Sequence, residues 1–187
     1  VGVSRKRICA MNLEAAKFFR NCLMDKDIGA EALEYLCEKR KLSMATVKRF
    51  GLGYSPNDPG MLTRYLRRLG YTDDELIVGF LAGKSQKTGR PYDYFRNRVI
   101  FPIIDTAGNI VAFGGRVMDD SKPKYLNTSD TPAFKKSKNL FALNYAKNKC
   151  ENMLILCEGY MDVIALHSAG IENAVATLGT AITPEHA

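Results

Sequence analysis

The sequence predicts an α/β protein built in three stretches, and three observations carry that reading. Apolar residues recur at spacings of three and four as far as Phe80, the period of helices with one buried face. The period then changes, and Arg98 to Ile104 answers Ile110 to Val117 across the turn Ala107-Gly108-Asn109, the pattern of a β-hairpin. Finally, Met153-Leu154-Ile155-Leu156-Cys157 runs as an apolar strand into Glu158-Gly159 and an amphipathic stretch to Gly170. A second strand follows at Ala174 to Leu178, making a parallel β-α-β unit.

Each element has a local cause. Leu13 to Phe19 carries the first helical spacing, and Ala30 to Lys39 repeats it with Leu33, Leu36 and Cys37 on one face. Ser43 can cap the next helix, which Gly51 stops. Asn57-Asp58-Pro59-Gly60 is a loop, Met61 to Leu69 a helix, and Asp73-Asp74-Glu75 opens a short helix with acids where the dipole favours them. Gly83 to Gly89 is polar and turn-rich. Lys122 to Lys138 is basic and shows no clear period. Leu140 to Lys149 is expected to be helical, and Thr183-Pro184-Glu185 to start a last helix with Thr183 as cap.

Composition narrows the function classes. The chain has 187 residues, enough for a real core, and 46% are apolar. No apolar run is long enough to span a bilayer, so no membrane partner is expected, and Val1 to Arg7 is not followed by the apolar stretch of a signal peptide. The absence of an initiator Met reads as part of a longer protein. The five cysteines, Cys9, Cys22, Cys37, Cys150 and Cys157, include no Cys-x-x-Cys pair and imply no zinc site. Their reduced form suits a cytosolic setting, and Cys157 is expected to be a core thiol. The net charge is +7, and its excess is local: residues 84–149 hold 13 Lys and Arg against five Asp and Glu. A localised basic excess points to a polyanion partner, nucleic acid above all.

The candidate chemistry lies in two places. In the basic middle, Phe95-Arg96-Asn97-Arg98, Phe113-Gly114-Gly115-Arg116, Pro123-Lys124-Tyr125-Leu126-Asn127 and Phe134-Lys135-Lys136 interleave cations with aromatics. Guanidinium groups fork onto phosphates, lysines supply point charges, and aromatic rings stack bases of a single strand. Arg98 and Arg116 could equally be exposed cross-strand residues, and Phe95, Phe101 and Phe113 read as core. Gly114-Gly115 would let a backbone approach closely. The second place is Glu158, at the carboxyl end of a parallel strand, where open α/β sheets bind ligands and a carboxylate can hold a hard divalent cation. Taken alone it could simply cap the following helix or pair with a Lys. Asp162 suits the first turn of that helix, and His167 reads as a packing residue.

These residues also carry a resemblance. Glu158-Gly159-Tyr160-Met161-Asp162-Val163, with Ala176-Thr177-Leu178-Gly179-Thr180-Ala181 behind it, resembles the opening of a Toprim domain. Phe95 to Ile103, Phe113 to Val117, Pro123 to Asn127, Tyr35 to Arg40 and Arg49 to Tyr54 resemble the DnaG-type bacterial primase core, in order along nearly the whole chain. The resemblance implies an α/β fold in which residues 1–150 form an α+β subdomain with a mixed sheet, helices and a basic ridge. Residues 151–187 would begin a Toprim subdomain with its first βαβ unit. It implies a DNA-directed RNA polymerase, a nucleotidyltransferase making RNA primers in DNA replication at the replication fork in the cytoplasm. Its implied partners are a single-stranded DNA template, NTPs and the RNA–DNA hybrid.

Arg40, Arg96, Arg98, Arg116, Lys124, Tyr125, Asn127 and Lys136 carry over as template and nucleotide contacts. Glu158 carries over as catalytic metal ligand for Mg²⁺ or Mn²⁺. By the same resemblance, a zinc-binding module would precede Val1. An Asp-x-Asp completing the metal site, and a module docking the replicative helicase, would follow Ala187. The chain alone is therefore expected to bind template but make little primer. Three positions depart from the family pattern: Tyr94 where Arg is common, and Lys41 and Ser137 where Gly is common. Alternative readings are a noncatalytic single-strand-binding module, which leaves Glu158 unexplained, or another Toprim nuclease or topoisomerase, which leaves the Arg116 and Lys124 segments unexplained.

Overall fold

The computed structural model describes residues 2–187. Helix α1 (Arg5–Met24) is set by the Ser4 hydroxyl, which accepts from the Arg7 amide at 3.2 Å. Its inner stripe buries Ile8, Met11, Ala15, Phe18 and Phe19. Helix α2 (Ala30–Glu34) runs on into a π-helical turn, Tyr35–Lys39. Helix α3 (Met44–Arg49) is capped by Ser43, as the sequence predicts. Helices α4 (Met61–Arg68) and α5 (Asp73–Val78) follow, the latter with a full capping box between Thr72 and Glu75.

A four-stranded antiparallel sheet packs against α1 in the order β1-β4-β5-β6. The strands are β1 (Gly53–Ser55), β4 (Arg98–Ile104), β5 (Ile110–Arg116) and β6 (Tyr125–Asn127). Between β1 and β4 the chain forms a separate two-stranded ribbon, β2 (Ala82–Lys84) against β3 (Pro91–Asp93). A short helix α6 (Leu143–Ala146) leads to β7 (Ile155–Cys157), α7 (Tyr160–Ser168) and β8 (Ala174–Ala176), with β7 and β8 parallel. An antiparallel bridge between Phe141 and Ala176 ties this unit back to the preceding segment.

The hairpin and the β-α-β unit stand where the sequence places them, and Phe95, Phe101 and Phe113 are buried. Other expectations are corrected. The basic stretch without a period contains β6, held by its register with β5 (Arg116 opposite Tyr125, Gly114 opposite Asn127) rather than by any pattern of its own. Of the ten residues expected to be helical from Leu140 to Lys149, only Leu143–Ala146 form α-helix. The last segment makes a short 3₁₀ turn, Pro184–His186. Cys157 is half-buried at the margin of the core rather than a core thiol, on the same face as the half-buried Ile155, while Leu156 on the opposite face is 49% exposed.

Lys41 adopts φ +60°, the left-handed region that glycine favours. It is one of the positions at which the resemblance noted above leads one to expect Gly. Lys41→Gly is expected to stabilise the fold by about 0.5–1 kcal/mol, since relief of side-chain strain outweighs the added freedom of the unfolded chain. A rise in the denaturant midpoint at constant m-value checks this.

Candidate nucleic-acid interface

Tyr35 organises the basic face. Its buried ring sits in the π-helical turn, and its hydroxyl accepts from Arg40 Nε at 2.9 Å and from Arg116 Nη1. The guanidinium carbons of Arg40 and Arg116 lie 5.5 and 5.6 Å from the ring centroid, within cation–π range. Arg116 Nε also donates to the Tyr125 hydroxyl at 3.2 Å, and its guanidinium lies 5.6 Å from the Tyr125 ring. Two arginines far apart in sequence are thus fixed side by side.

The neighbouring pair Arg96 and Arg98 splits to opposite sides. Asn97 between them takes φ +50°, which asparagine tolerates, and its Oδ1 accepts from the Tyr54 hydroxyl at 2.7 Å. Arg96 is exposed, its guanidinium 5.7 Å from the Tyr92 ring centroid. Arg98 points inward and is only 6% exposed. It donates to the carbonyls of Pro123 at 2.7 Å, Gly115 at 3.3 Å and Lys124 at 3.4 Å, and burial lowers its pKa from the ordinary value. The reading of Arg98 and Arg116 as exposed cross-strand residues is therefore wrong for both. Arg98 is spent inside the fold, holding down the segment that presents Lys124 and Tyr125, both exposed. Lys136 sits apart from these residues in sequence, on the 3₁₀ turn Lys136–Lys138. That turn is stitched to the chain's last segment by Thr183 Oγ1 donating to the Ser137 carbonyl at 2.6 Å.

The acid-ended strand meets this face through Tyr160. Its ring stacks on Phe101 at 4.7 Å and 7°, and meets Phe141 edge-on at 4.7 Å. Its hydroxyl donates to Asn127 Oδ1 at 2.7 Å. Burial pushes the hydroxyl's pKa far above its ordinary value, so it stays a donor. Gly114 makes room for it: a methyl group there would lie 2.3 Å from the Tyr160 oxygen. What the Gly114-Gly115 pair admits is thus a side chain of α7, with Phe95 over Gly115, and not another backbone.

Glu158 follows β7 two residues before Tyr160 and is exposed. No side chain caps α7, so the capping role open to Glu158 is not the one it plays. Asp162 is exposed in the first turn of α7. His167 is a packing residue: buried, edge-on to Phe50, with Nε2 2.9 Å from the Ala174 carbonyl oxygen. Among the described residues no three His, Cys, Asp or Glu side chains group as a metal site. The carboxylates present here do not by themselves fit a divalent ion. Nor is any helix among them long and apolar enough to cross a membrane.

Sequence reasoning gave no role to Tyr35 and Tyr160. Both lie inside quoted motifs, but a tyrosine's reach to partners 81 and 33 residues away has no local signature.

A face of paired arginines and tyrosines is thus joined to a parallel strand that ends in an acid, within one α/β core. Residues 18–147 match the family described as DNA primase catalytic core, N-terminal domain, and residues 152–187 match the Toprim domain. The chain belongs to the DNA primase catalytic core family. It is 48% identical over 183 residues to the DNA primase of Clostridium acetobutylicum, covering 97% of this chain and 30% of that protein. It is 45% identical over 179 residues to that of Deinococcus radiodurans, covering 95% and 30%. The chain thus spans under a third of these relatives' length. The RNA polymerase domain of Mycobacterium tuberculosis primase DnaG superposes with a TM-score of 0.90 at 36% identity, covering 98% of this chain and 60% of that one. A DnaG primase catalytic domain bound to single-stranded DNA superposes at 0.87 and 37% identity, covering 97% and 58%.

Proposed function

We propose that this chain is the template-binding part of a DNA-directed RNA polymerase that makes RNA primers. Residues 1–150 would supply the basic subdomain, and 151–187 the start of the Toprim subdomain. One observation carries the reading. The basic face and the acid-ended strand are linked without a break, from Arg40 through Tyr35, Arg116 and Tyr125 to Tyr160, whose ring centroid lies 6.1 Å from that of Tyr125. A template is proposed to lie on the exposed side chains Arg96, Lys124 and Tyr125, the last of them beside the Tyr160 that follows Glu158. Arg40 and Arg116 are steadied by Tyr35, and Lys136 extends the cationic surface. Asn127 positions Tyr160 through Oδ1 and offers its amide nitrogen toward Gly179.

Glu158 is proposed as one carboxylate for Mg²⁺ or Mn²⁺. Such an ion would neutralise charge as a 3′-hydroxyl attacks an NTP α-phosphate. The RNA–DNA hybrid, and in the longer protein the replicative helicase, are proposed partners. With no three-ligand group among the described residues, this chain alone is expected to bind template without making primer.

The test is a salt titration of single-stranded DNA binding. Each phosphate contact adds about 0.7 to the slope of log K against log salt. Arg96→Glu with Lys124→Glu is expected to lower the slope by at least ~1.4 and weaken binding tenfold or more. Glu158→Gln should leave affinity within about twofold, because that carboxylate is assigned to metal and not to template. An unchanged slope in the double reversal would overturn the interface.

A further inference from the structure

We propose that the β2–β3 ribbon is an arm that holds single-stranded template beyond the basic face; the proposal rests on the template-binding reading above. The ribbon projects Lys84, Lys87 and Arg90, all exposed, and the stretch from Lys84 to Tyr92 contains no acid. Its tip is a closed turn, with the Ser85 amide on the Arg90 carbonyl at 2.9 Å and the Gly89 amide on the Ser85 carbonyl at 2.8 Å. Its base is clamped. The Asp93 carboxylate, buried in β3, accepts from the Leu62 amide at 2.8 Å and from both the amide and hydroxyl of Thr63 at the start of α4. The Tyr94 amide donates to the Leu81 carbonyl at 3.1 Å. Such a ribbon can hold charges at a fixed place rather than waving them in solvent.

Two further features direct the arm toward template. Tyr92 lies across Gly83, where a methyl group would sit 2.6 Å from its ring, and that same ring carries Arg96. Arg96, proposed above as a template contact, thus stands on the arm. Secondly, none of the salt bridges among the described residues uses the arm's three cations. The competing basic surface on α4 is partly neutralised, Arg64 by Asp58 and Arg67 by Asp73. Unpaired point charges three residues apart, with an arginine-on-tyrosine platform at their base, suit a backbone-tracking, base-stacking hold on a single strand.

The experiment compares fluorescence anisotropy of labelled oligothymidylates about six and about 20 nucleotides long, lengths either side of a small single-strand site. The proteins are the unaltered chain and the triple variant Lys84→Glu, Lys87→Glu, Arg90→Glu, whose exposed positions spare the fold. On the long strand the variant should lose about 2 from the salt slope and bind roughly tenfold or more weakly. On the short strand, held by the basic face alone, affinity should stay within about twofold. Equal losses on both lengths would overturn the arm, as would an unchanged slope on the long strand or a loss confined to blunt duplex. Failure of the triple variant alone, with Arg96→Glu and Lys124→Glu still disruptive, would leave the template-binding reading intact.

Discussion

Gly114→Ala is expected to unseat the C-terminal β-α-β unit from the sheet. The added methyl would meet the Tyr160 oxygen at 2.3 Å and its ring carbon at 2.4 Å. The backbone cannot yield, because Gly114 is paired on both sides, with Phe101 of β4 and Asn127 of β6. Tyr160 cannot turn in place either, since Phe101 covers its face and Phe141 meets it edge-on. Overpacking of a tight core together with a lost hydrogen bond amounts to about 2–4 kcal/mol. The measurement is the denaturant midpoint, paired with hydrogen exchange, which should show α7 and β8 losing protection ahead of β4 and β5. Tyr160→Phe keeps the ring and removes only its bond to Asn127, so it should cost about 1 kcal/mol. Gly114→Ala combined with Tyr160→Ala should cost less than the two separate effects added, because the clash is then gone.

Arg98→Ala is the second large effect. It strips a buried guanidinium from the carbonyls of Pro123, Gly115 and Lys124 and leaves them without that donor. The loss of these charge-assisted hydrogen bonds and of the side-chain packing predicts a cost of about 2–3 kcal/mol. The segment 122–126 should loosen, and template affinity should fall although the Arg98 guanidinium is turned onto backbone carbonyls. Arg98→Lys should not rescue, because a point charge cannot span the Gly115 carbonyl of β5 and the carbonyls of Pro123 and Lys124 ahead of β6. Salt dependence separates the roles. Lys124→Ala should remove about 0.7 from the slope, whereas Arg98→Ala should remove no more than Lys124's share while lowering affinity at every salt concentration. A variant that binds as tightly as the unaltered chain would refute the positioning role.

The regular elements were legible where burial imposes a period. The hairpin β4–β5 reads as two largely apolar runs answering each other across a Gly turn, because both faces of each strand are buried, and the acid-ended strand before α7 is bounded by its own Glu-Gly. Strands β1, β2, β3 and β6 were not legible, because each is three residues long and is held by register with a neighbour. In the candidate site, the basic residues and Glu158 could be named from sequence, but the division of labour among them could not. Arg96 and Arg98 differ by two residues and look equivalent as text. The left-handed Asn97 and the carbonyl of Pro123, 25 residues away, send one outward and the other in. Lys41 shows the converse: its departure from a glycine pattern marks a backbone conformation that the structure then displays.

The most direct test of the account is backbone-amide NMR of this chain titrated with a single strand about 20 nucleotides long. The account predicts shifts concentrated at Arg96 and Asn97, at Lys124 to Asn127 and around Arg40, with Lys84 to Arg90 joining them. Shifts confined to the Arg64–Arg68 face of α4, or absent from Lys124 to Asn127, would contradict it.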